Sequence, residues 1–124
     1  MTVLLVALGA AIGAPARYLT DRWVQTRHDS VFPWGTLTVN VVGSLLLGFD
    51  VGGAAAAAVA PAVTAAVGVG FCGALTTYST FGYETLRLAA DGSVRYAVAN
   101  ALGSLAAGLL AAWLGLVTAT AVLG

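Results

Sequence analysis

The sequence predicts an all-α membrane protein in which four transmembrane helices form a single domain over residues 1–124. The chain is 60% hydrophobic and only 8% charged, with a mean hydropathy of +0.95, whereas soluble domains carry about 25% charged residues. Its charges are separated by apolar stretches that are long enough to cross a bilayer, which takes about 20 residues. The net charge is +0. A soluble globule, a disordered chain and a basic nucleic-acid binder are therefore excluded.

The helices are predicted over about residues 3–22, 33–52, 61–88 and 94–118, because a charge at the bilayer centre costs about 2.5–3.5 kcal/mol and so marks a span end. Residues 51–83 carry no charge, and Gly52, Gly53 and Pro61 are expected to divide this run into the end of helix 2 and the start of helix 3. A chain of three spans, in which residues 51–65 re-enter the membrane, is the alternative.

Few residues are suited to catalysis. The single cysteine, Cys72, excludes a disulfide framework and a cysteine metal cluster, and His28, the only histidine, is interpreted as a solvated loop residue. We expect no Asp or Glu inside the apolar spans of helices 1, 2 and 4, and we expect Glu84 near the end of helix 3. The chain is therefore not expected to be an enzyme.

Polar residues inside helices 2 and 4 are the candidate functional groups. Asn40 offers amide donors within helix 2, although it could equally hold two helices together. Residues Tyr96, Asn100 and Ser104 follow one another at intervals of four, so they share one face of helix 4. This uncharged stripe faces either another helix or water, and its donors suit a small anion.

Helix 3 is expected to break near its middle. Gly68, Gly70 and Gly73 precede a run of hydroxyl residues at 76–80, and such a sequence makes a poor continuous helix. A break at residues 73–77 would free carbonyl oxygens, which are ligands that a hard cation such as Na⁺ accepts. The alternative is a glycine-kinked helix whose hydroxyls bond back to the preceding turn.

Small residues spaced by four predict close helix packing. Gly9 and Gly13 lie on helix 1, and Gly103, Ala107 and Ala111 lie on helix 4. Without bulky side chains at these positions, two helix backbones can approach each other closely.

The arginines are distributed asymmetrically. With four spans, loops 1 and 3 share one side of the membrane. They contain Arg22, Arg27, Arg87 and Arg95, and Arg17, the remaining arginine, lies just inside the same end of helix 1. The opposite side has no Lys or Arg. The positive-inside rule therefore predicts that loops 1 and 3 are cytoplasmic and that both termini are outside.

Three motifs give the sequence a specific resemblance. They are GAPARY at residues 13–18, GTLTVNVVGS at 35–44 and GFCGALTTYSTF at 70–81, the last followed by Glu84. In their order and spacing they resemble the motifs of the Fluc/CrcB fluoride channels, and the resemblance covers essentially the whole chain. It implies a bacterial plasma-membrane channel that lets fluoride leave the cytoplasm passively and so reduces fluoride toxicity.

The resemblance also implies an assembly. Four-helix subunits of that family pair antiparallel, with two fluoride pores per dimer and a structural Na⁺ on the two-fold axis. The expected Na⁺ ligands are the backbone carbonyls of Gly73 and Thr76. The charge asymmetry favours, as the partner, a paralogue of inverse charge bias, although self-pairing remains an alternative.

By the same resemblance, Asn40 corresponds to the pore asparagine and Phe81 to one of two pore phenylalanines. The other phenylalanine is replaced here by Tyr78, which keeps a ring edge but adds a hydroxyl. The helix 4 stripe resembles the family's polar track, with an amide at Asn100 where a hydroxyl is usual. The complete set of expected pore residues is Asn40, Tyr78, Ser79, Thr80, Phe81, Tyr96, Asn100 and Ser104.

Two other functions fit a small four-helix chain. One is a subunit of a small antiparallel exporter of drugs or cations, which would need a membrane-embedded carboxylate in helix 1. The other is a membrane subunit that transports nothing.

Overall fold

The computed structural model describes residues 2–28, 32–76 and 78–124, and all regular structure within these ranges is helical. Four stretches are long and apolar enough to cross a membrane, which confirms the prediction of an all-α chain with four such helices. The stretches are Thr2–Thr26, Trp34–Ala55, Pro61–Ala90 and Val94–Leu123.

We label the elements in chain order. The first two spans are α1, Thr2–Thr26, and α2, Trp34–Ala55, and the last is α6, Val94–Leu123. The third span consists of four parts. It begins with α3, Pro61–Val63, and continues with a π-helical segment, Thr64–Cys72. The last two parts are α4, Gly73–Leu75, and α5, Ser79–Ala90. Helices α1 and α6 extend beyond the predicted ends at 22 and 118, because a helix does not have to stop where the hydrocarbon ends.

Neighbouring spans alternate in direction. In α2, Gly43 lies against Thr76 and Gly53 lies near Val59, so α2 runs antiparallel to the third span. Helices α2 and α6 run parallel, since Gly48 meets Ala112 and Gly52 meets Ala119. The first and third loops therefore lie at the same end of the molecule.

Glycines at the helix contacts let backbones touch. A Cβ added to Gly9 would overlap the carbonyl oxygen of Ala66 in the π segment, and one added to Gly13 would overlap that of Phe71. The spacing of Gly9 and Gly13 predicts this close approach.

The predicted stripe on α6 is divided within the subunit. Nothing lies within 4 Å of a Cβ built on Gly103, whereas Ala111 is buried. The contact between α6 and α2 uses Gly115, where an added Cβ would overlap the carbonyl oxygen of Leu45.

The third span contains a feature that sequence periodicity did not predict. Nine of its residues, Thr64–Cys72, form a π-helix, a rare geometry in proteins. After α4 the backbone of Thr76 is extended, with φ −78° and ψ 158°, and α-helical structure resumes at Ser79. The predicted break at residues 73–77 includes Thr77, which lies outside the described residues.

Acidic residues lie inside α1 and α2, which continue beyond the uncharged stretches from which the apolar spans were predicted. Asp21 belongs to α1, which continues to Thr26, and Asp50 belongs to α2, which continues to Ala55. Asp50 is only 4% exposed. A glycine on the facing helix, Gly68, leaves room for its carboxylate.

Candidate functional site

A groove runs along α2 and α6 and reaches the junction between α4 and α5. It has a volume of about 390 Å³, and we call it the α2–α6 groove. Its lining residues are Asn40, Gly43, Ser44, Leu47, Thr76, Tyr78, Phe81, Ser104, Leu105, Gly108, Leu109 and Ala112. No charged side chain lines it among the residues that the structure describes.

Four of the eight expected pore residues line this groove. Asn40 comes from α2, Tyr78 and Phe81 from the start of α5, and Ser104 from α6. They are far apart in the sequence, and the antiparallel arrangement of α2 and the third span brings them together. The rings of Tyr78 and Phe81 form a tilted pair with centroids 6.3 Å apart.

Asn100 does not line the groove, although it lies on the same helical face as Ser104. Its side chain is fully buried, and its Nδ2 donates a hydrogen bond to Thr85 Oγ1 at 2.8 Å. The Thr85 hydroxyl donates in turn to the Phe81 carbonyl at 2.8 Å. Ser104 Oγ donates to Asn100 Oδ1 at 3.0 Å. The amide therefore connects α6 to α5 and supports a hydroxyl that does line the groove.

Thr80 lines a different cavity, of about 190 Å³, which we call the Arg17 cavity. Its lining residues are Arg17, Tyr18, Asp21, Thr36, Val39 and Thr80. Thr80 and Phe81 are neighbours on α5 and point in different directions, as adjacent residues on a helix do. The Arg17 cavity contains a cation and a carboxylate, so its electrostatic character differs from that of the neutral groove.

The last two expected pore residues line neither cavity. Tyr96 is 45% exposed near the start of α6, and Ser79 is exposed at the first position of α5. Tyr78 is 87% exposed although it lines the groove, so the groove opens onto the surface of the subunit at this point.

Glu84 makes a contact that the sequence did not indicate. Thr36 Oγ1 donates a hydrogen bond to Glu84 Oε1, which ties the first turn of α2 to α5. Glu84 lies near the middle of α5 and in the last part of the third span, which ends at Ala90. The spacing along the chain could not reveal this pair, because 48 residues separate the two partners.

The end of α4 is where a cation was expected. The Thr76 backbone N–H and the Thr76 hydroxyl both donate to the Cys72 carbonyl, at 3.0 and 2.9 Å. Gly73 has no neighbour within 4 Å of a built Cβ, so this side of the third span is open within the subunit. Helix ends leave carbonyl oxygens without helical partners.

Comparisons with known proteins agree with this picture. A sequence model of the family described as "CrcB-like protein, Camphor Resistance (CrcB)" matches residues 4–116. A protein of Frankia casuarinae named fluoride-specific ion channel FluC 1 is 62% identical, covering 100% of both chains. A Streptomyces avermitilis protein of the same name is 58% identical over 93% of each chain. Fluoride-specific ion channel FluC 2 of Rhodococcus jostii is 49% identical over 93% of this chain and 96% of its own.

These similarities extend over nearly the full length of the chain, so they concern its whole architecture. The relatives are named as channels, which are not enzymes. With its four candidate spans, the chain is a multi-pass protein of the bacterial plasma membrane and not an enzyme, as the sequence predicted. It belongs to the CrcB-like protein family.

Proposed function

We propose that the protein is a fluoride-specific channel that lets fluoride leave the cytoplasm passively and thereby reduces fluoride toxicity. One observation carries the proposal. The α2–α6 groove gathers Asn40, Phe81 and Ser104 from three different helices. A relative that is named as a fluoride-specific ion channel is 62% identical to the chain.

The chemistry of the groove suits a small, strongly hydrated anion. Fluoride must exchange its water for protein donors, and each site must bind well enough for entry and weakly enough for exit. The Asn40 amide and the Ser104 hydroxyl are neutral donors, and the edges of Tyr78 and Phe81 carry positive quadrupole density. A fixed cation in the groove would hold the ion too tightly.

Ser104 illustrates how the groove could respond to an ion. Its hydroxyl donates to Asn100 Oδ1, and a hydroxyl can rotate to donate elsewhere. A fluoride ion in the groove would compete for that proton. The exchange of one hydrogen bond for another keeps the net cost of binding small, which favours rapid passage.

A second subunit in the opposite orientation is proposed to complete the pore. Tyr78 and the groove around it are open on the subunit surface, and a partner would enclose them. The charge map favours a paralogue of inverse bias, since the arginines lie in or beside loops 1 and 3. The alternative is a homodimer of this chain, and co-purification of differently tagged copies would reveal it.

A structural Na⁺ is proposed at the interface, held by the backbone carbonyls of Gly73 and Thr76. The support is local. Helix α4 ends at Leu75, Thr76 is extended, and the space beside Gly73 is open within the subunit. The negative end of a helix dipole favours a cation. When bound, the ion would supply positive charge that fixes two subunits together, and no transport step depends on its movement.

Efflux from liposomes tests the function. Purified protein in potassium fluoride liposomes should release fluoride on addition of a potassium ionophore, and chloride liposomes should release almost none. An exporter of drugs or cations would instead need a proton gradient, and a non-transporting subunit would release nothing. If the chain is inactive alone, the same assay is run after co-expression with a paralogue.

A further inference from the structure

Asp50 is the one charged residue in the half of the molecule away from the arginines. It is the only Asp, Glu, Lys or Arg between residues 30 and 83, and it is 4% exposed. Its Oδ2 atom is buried and has no hydrogen-bond partner among the residues that the structure describes. An ionised carboxylate is costly in a place closed to bulk solvent when no side chain pairs with it.

The surroundings of Asp50 are tightly packed, and the described residues that face it include no Lys, Arg or His. A Cβ built on Gly68 would overlap Asp50 Oδ2 and would lie 3.6 Å from Leu47 Cδ1. Thr64, Gly68 and Cys72 are spaced by about one helical turn, so they share the face of the π segment that meets Asp50. The Thr64 hydroxyl is also buried without a partner in the described structure.

The titratable groups near Asp50 are few. On the π segment the titratable group is the buried Cys72 thiol, four residues after Gly68. On α6, the residues beside this end of α2 are Ala112, Leu116 and Ala119, none of which titrates. Four of the five acidic residues, and all five arginines, lie in residues 17–29 and 84–95.

We propose that Asp50 is a proton-binding site, occupied in the folded protein, so that α2 packs against the π segment through a neutral carboxylic acid. The bound proton converts Oδ2 from an acceptor into a donor and neutralises the one ionisable Asp, Glu, Lys or Arg side chain between residues 30 and 83. A bound Na⁺ fits less well. Hard cations collect about six oxygen ligands, and here the backbone of Gly68 occupies the space beside Oδ2.

The site also bears on the groove. Asn40, Gly43, Leu47 and Asp50 follow one another at intervals of three and four along α2, which places Asp50 on the continuation of the groove-lining face. Leu47 both lines the groove and packs near Gly68. A neutral Asp50 leaves no negative charge at the end of the groove beyond Leu47, where it would repel an anion. This consequence rests on the proposed function, but the assignment of the proton site does not.

Carbon-13 NMR of aspartate carboxyl groups in bilayers tests the proton directly. The chain has four aspartates, Asp21, Asp29, Asp50 and Asp91. At neutral pH we expect Asp50 to give a signal of the neutral acid, which Asp50→Asn removes and which replacing Na⁺ by a large organic cation leaves unchanged. If Asp50→Asn does not fold, replacing the other three aspartates by Asn identifies the Asp50 signal by elimination. An ionised Asp50 signal, or one that moves when Na⁺ is added, would overturn the proposal.

Stability as a function of pH gives a second test. A fold that favours protonated Asp50 binds more protons than the unfolded chain does, so stability must fall as pH rises. Asp50→Asn should remove that part of the fall, so that the Tm curve of the variant is flatter from about pH 4, where an unfolded aspartate ionises, through neutral pH. Curves that run parallel for the wild type and Asp50→Asn would contradict the proposal.

Gly68→Ala provides a variant that keeps Asp50 but displaces it. Its methyl group would overlap Oδ2, so we expect the Asp50 signal to move to the ionised position and the Tm to fall. Gly103→Ala is the matched control, since nothing lies within 4 Å of its Cβ. An unchanged neutral-acid signal in Gly68→Ala would show that the contact with Gly68 does not hold the proton.

Discussion

The Asn100 amide donates to the Thr85 hydroxyl across the interface between α6 and α5, at 2.8 Å. Through Thr85 this bond reaches the Phe81 carbonyl, and through Asn100 Oδ1 it reaches the Ser104 hydroxyl. Two groove-lining residues on different helices are thus positioned by one fully buried amide. The groove depends on a residue that does not line it.

Replacing Asn100 by Leu should therefore affect both stability and efflux. It leaves the half-buried Thr85 and Ser104 hydroxyls without their amide partner, and a polar group left unsatisfied in a buried place costs about 1–3 kcal/mol. We expect a lower Tm in detergent and a reduced fluoride efflux. Leu102→Ala, at a residue 65% exposed on the same helix, is the control and should change neither. A normal Tm for Asn100→Leu would show that the network contributes nothing.

Asn40→Leu should reduce fluoride efflux at least about tenfold, because it removes an amide donor from the groove at nearly constant volume. The loss of one hydrogen bond to an ion costs about 1.5–3 kcal/mol, and each 1.4 kcal/mol corresponds to about tenfold. The measurement is the efflux rate from liposomes, with chemical crosslinking to check that the subunits still assemble. Normal efflux would mean that Asn40 serves only to hold helices together, the alternative that the sequence left open.

Thr36→Val tests the bond between α2 and α5. Thr36 is 2% exposed, and its hydroxyl donates to Glu84. A hydrogen bond to a charged group contributes about 1.5–3 kcal/mol. We expect thermal unfolding to show a clear loss for Thr36→Val, and little further loss when Glu84→Gln is added. Additive losses in the double variant would show that the two side chains do not act together.

Gly73→Val and Thr76→Ser separate the backbone from the side chain at the proposed Na⁺ site. Thr76→Ser keeps the carbonyl, so the Na⁺ dependence of dimer stability should persist. Gly73→Val fits within one subunit, where nothing lies within 4 Å of the Cβ, but it should crowd a partner and weaken that dependence. Gly103→Val, equally open within the subunit, serves as the comparison. Equal Na⁺ responses in Gly73→Val and wild type would rule out this placement.

A reporter fused to Gly124 tests the orientation. The arginines lie in or beside loops 1 and 3, at one end of the molecule, and so predict that the C-terminus lies outside the cytoplasm. We expect an external signal in the native host and a shift towards the cytoplasm when Arg87 and Arg95 are replaced by Gln. A signal divided equally between the two sides in the wild type would contradict a fixed orientation, and full efflux from this chain alone would show that it needs no paralogue.

The amino-acid sequence determined the membrane class, the four helices and the asymmetry of the arginines. These properties follow from composition and from the position of charges along the chain, because a bilayer excludes charge regardless of how helices pack. Sequence motifs also singled out Asn40, Phe81 and Ser104, which the fold brings into one groove.

Only the tertiary structure decided what each helical face meets. Tyr96, Asn100 and Ser104 share a face, yet one is exposed, one is buried against Thr85 and one lines the groove. Periodicity defines a face but not its neighbour, and hydropathy cannot separate a lipid-facing surface from a helix contact when both are apolar. The burial of Asp50 depended likewise on the absence of a side chain at Gly68, on a different helix.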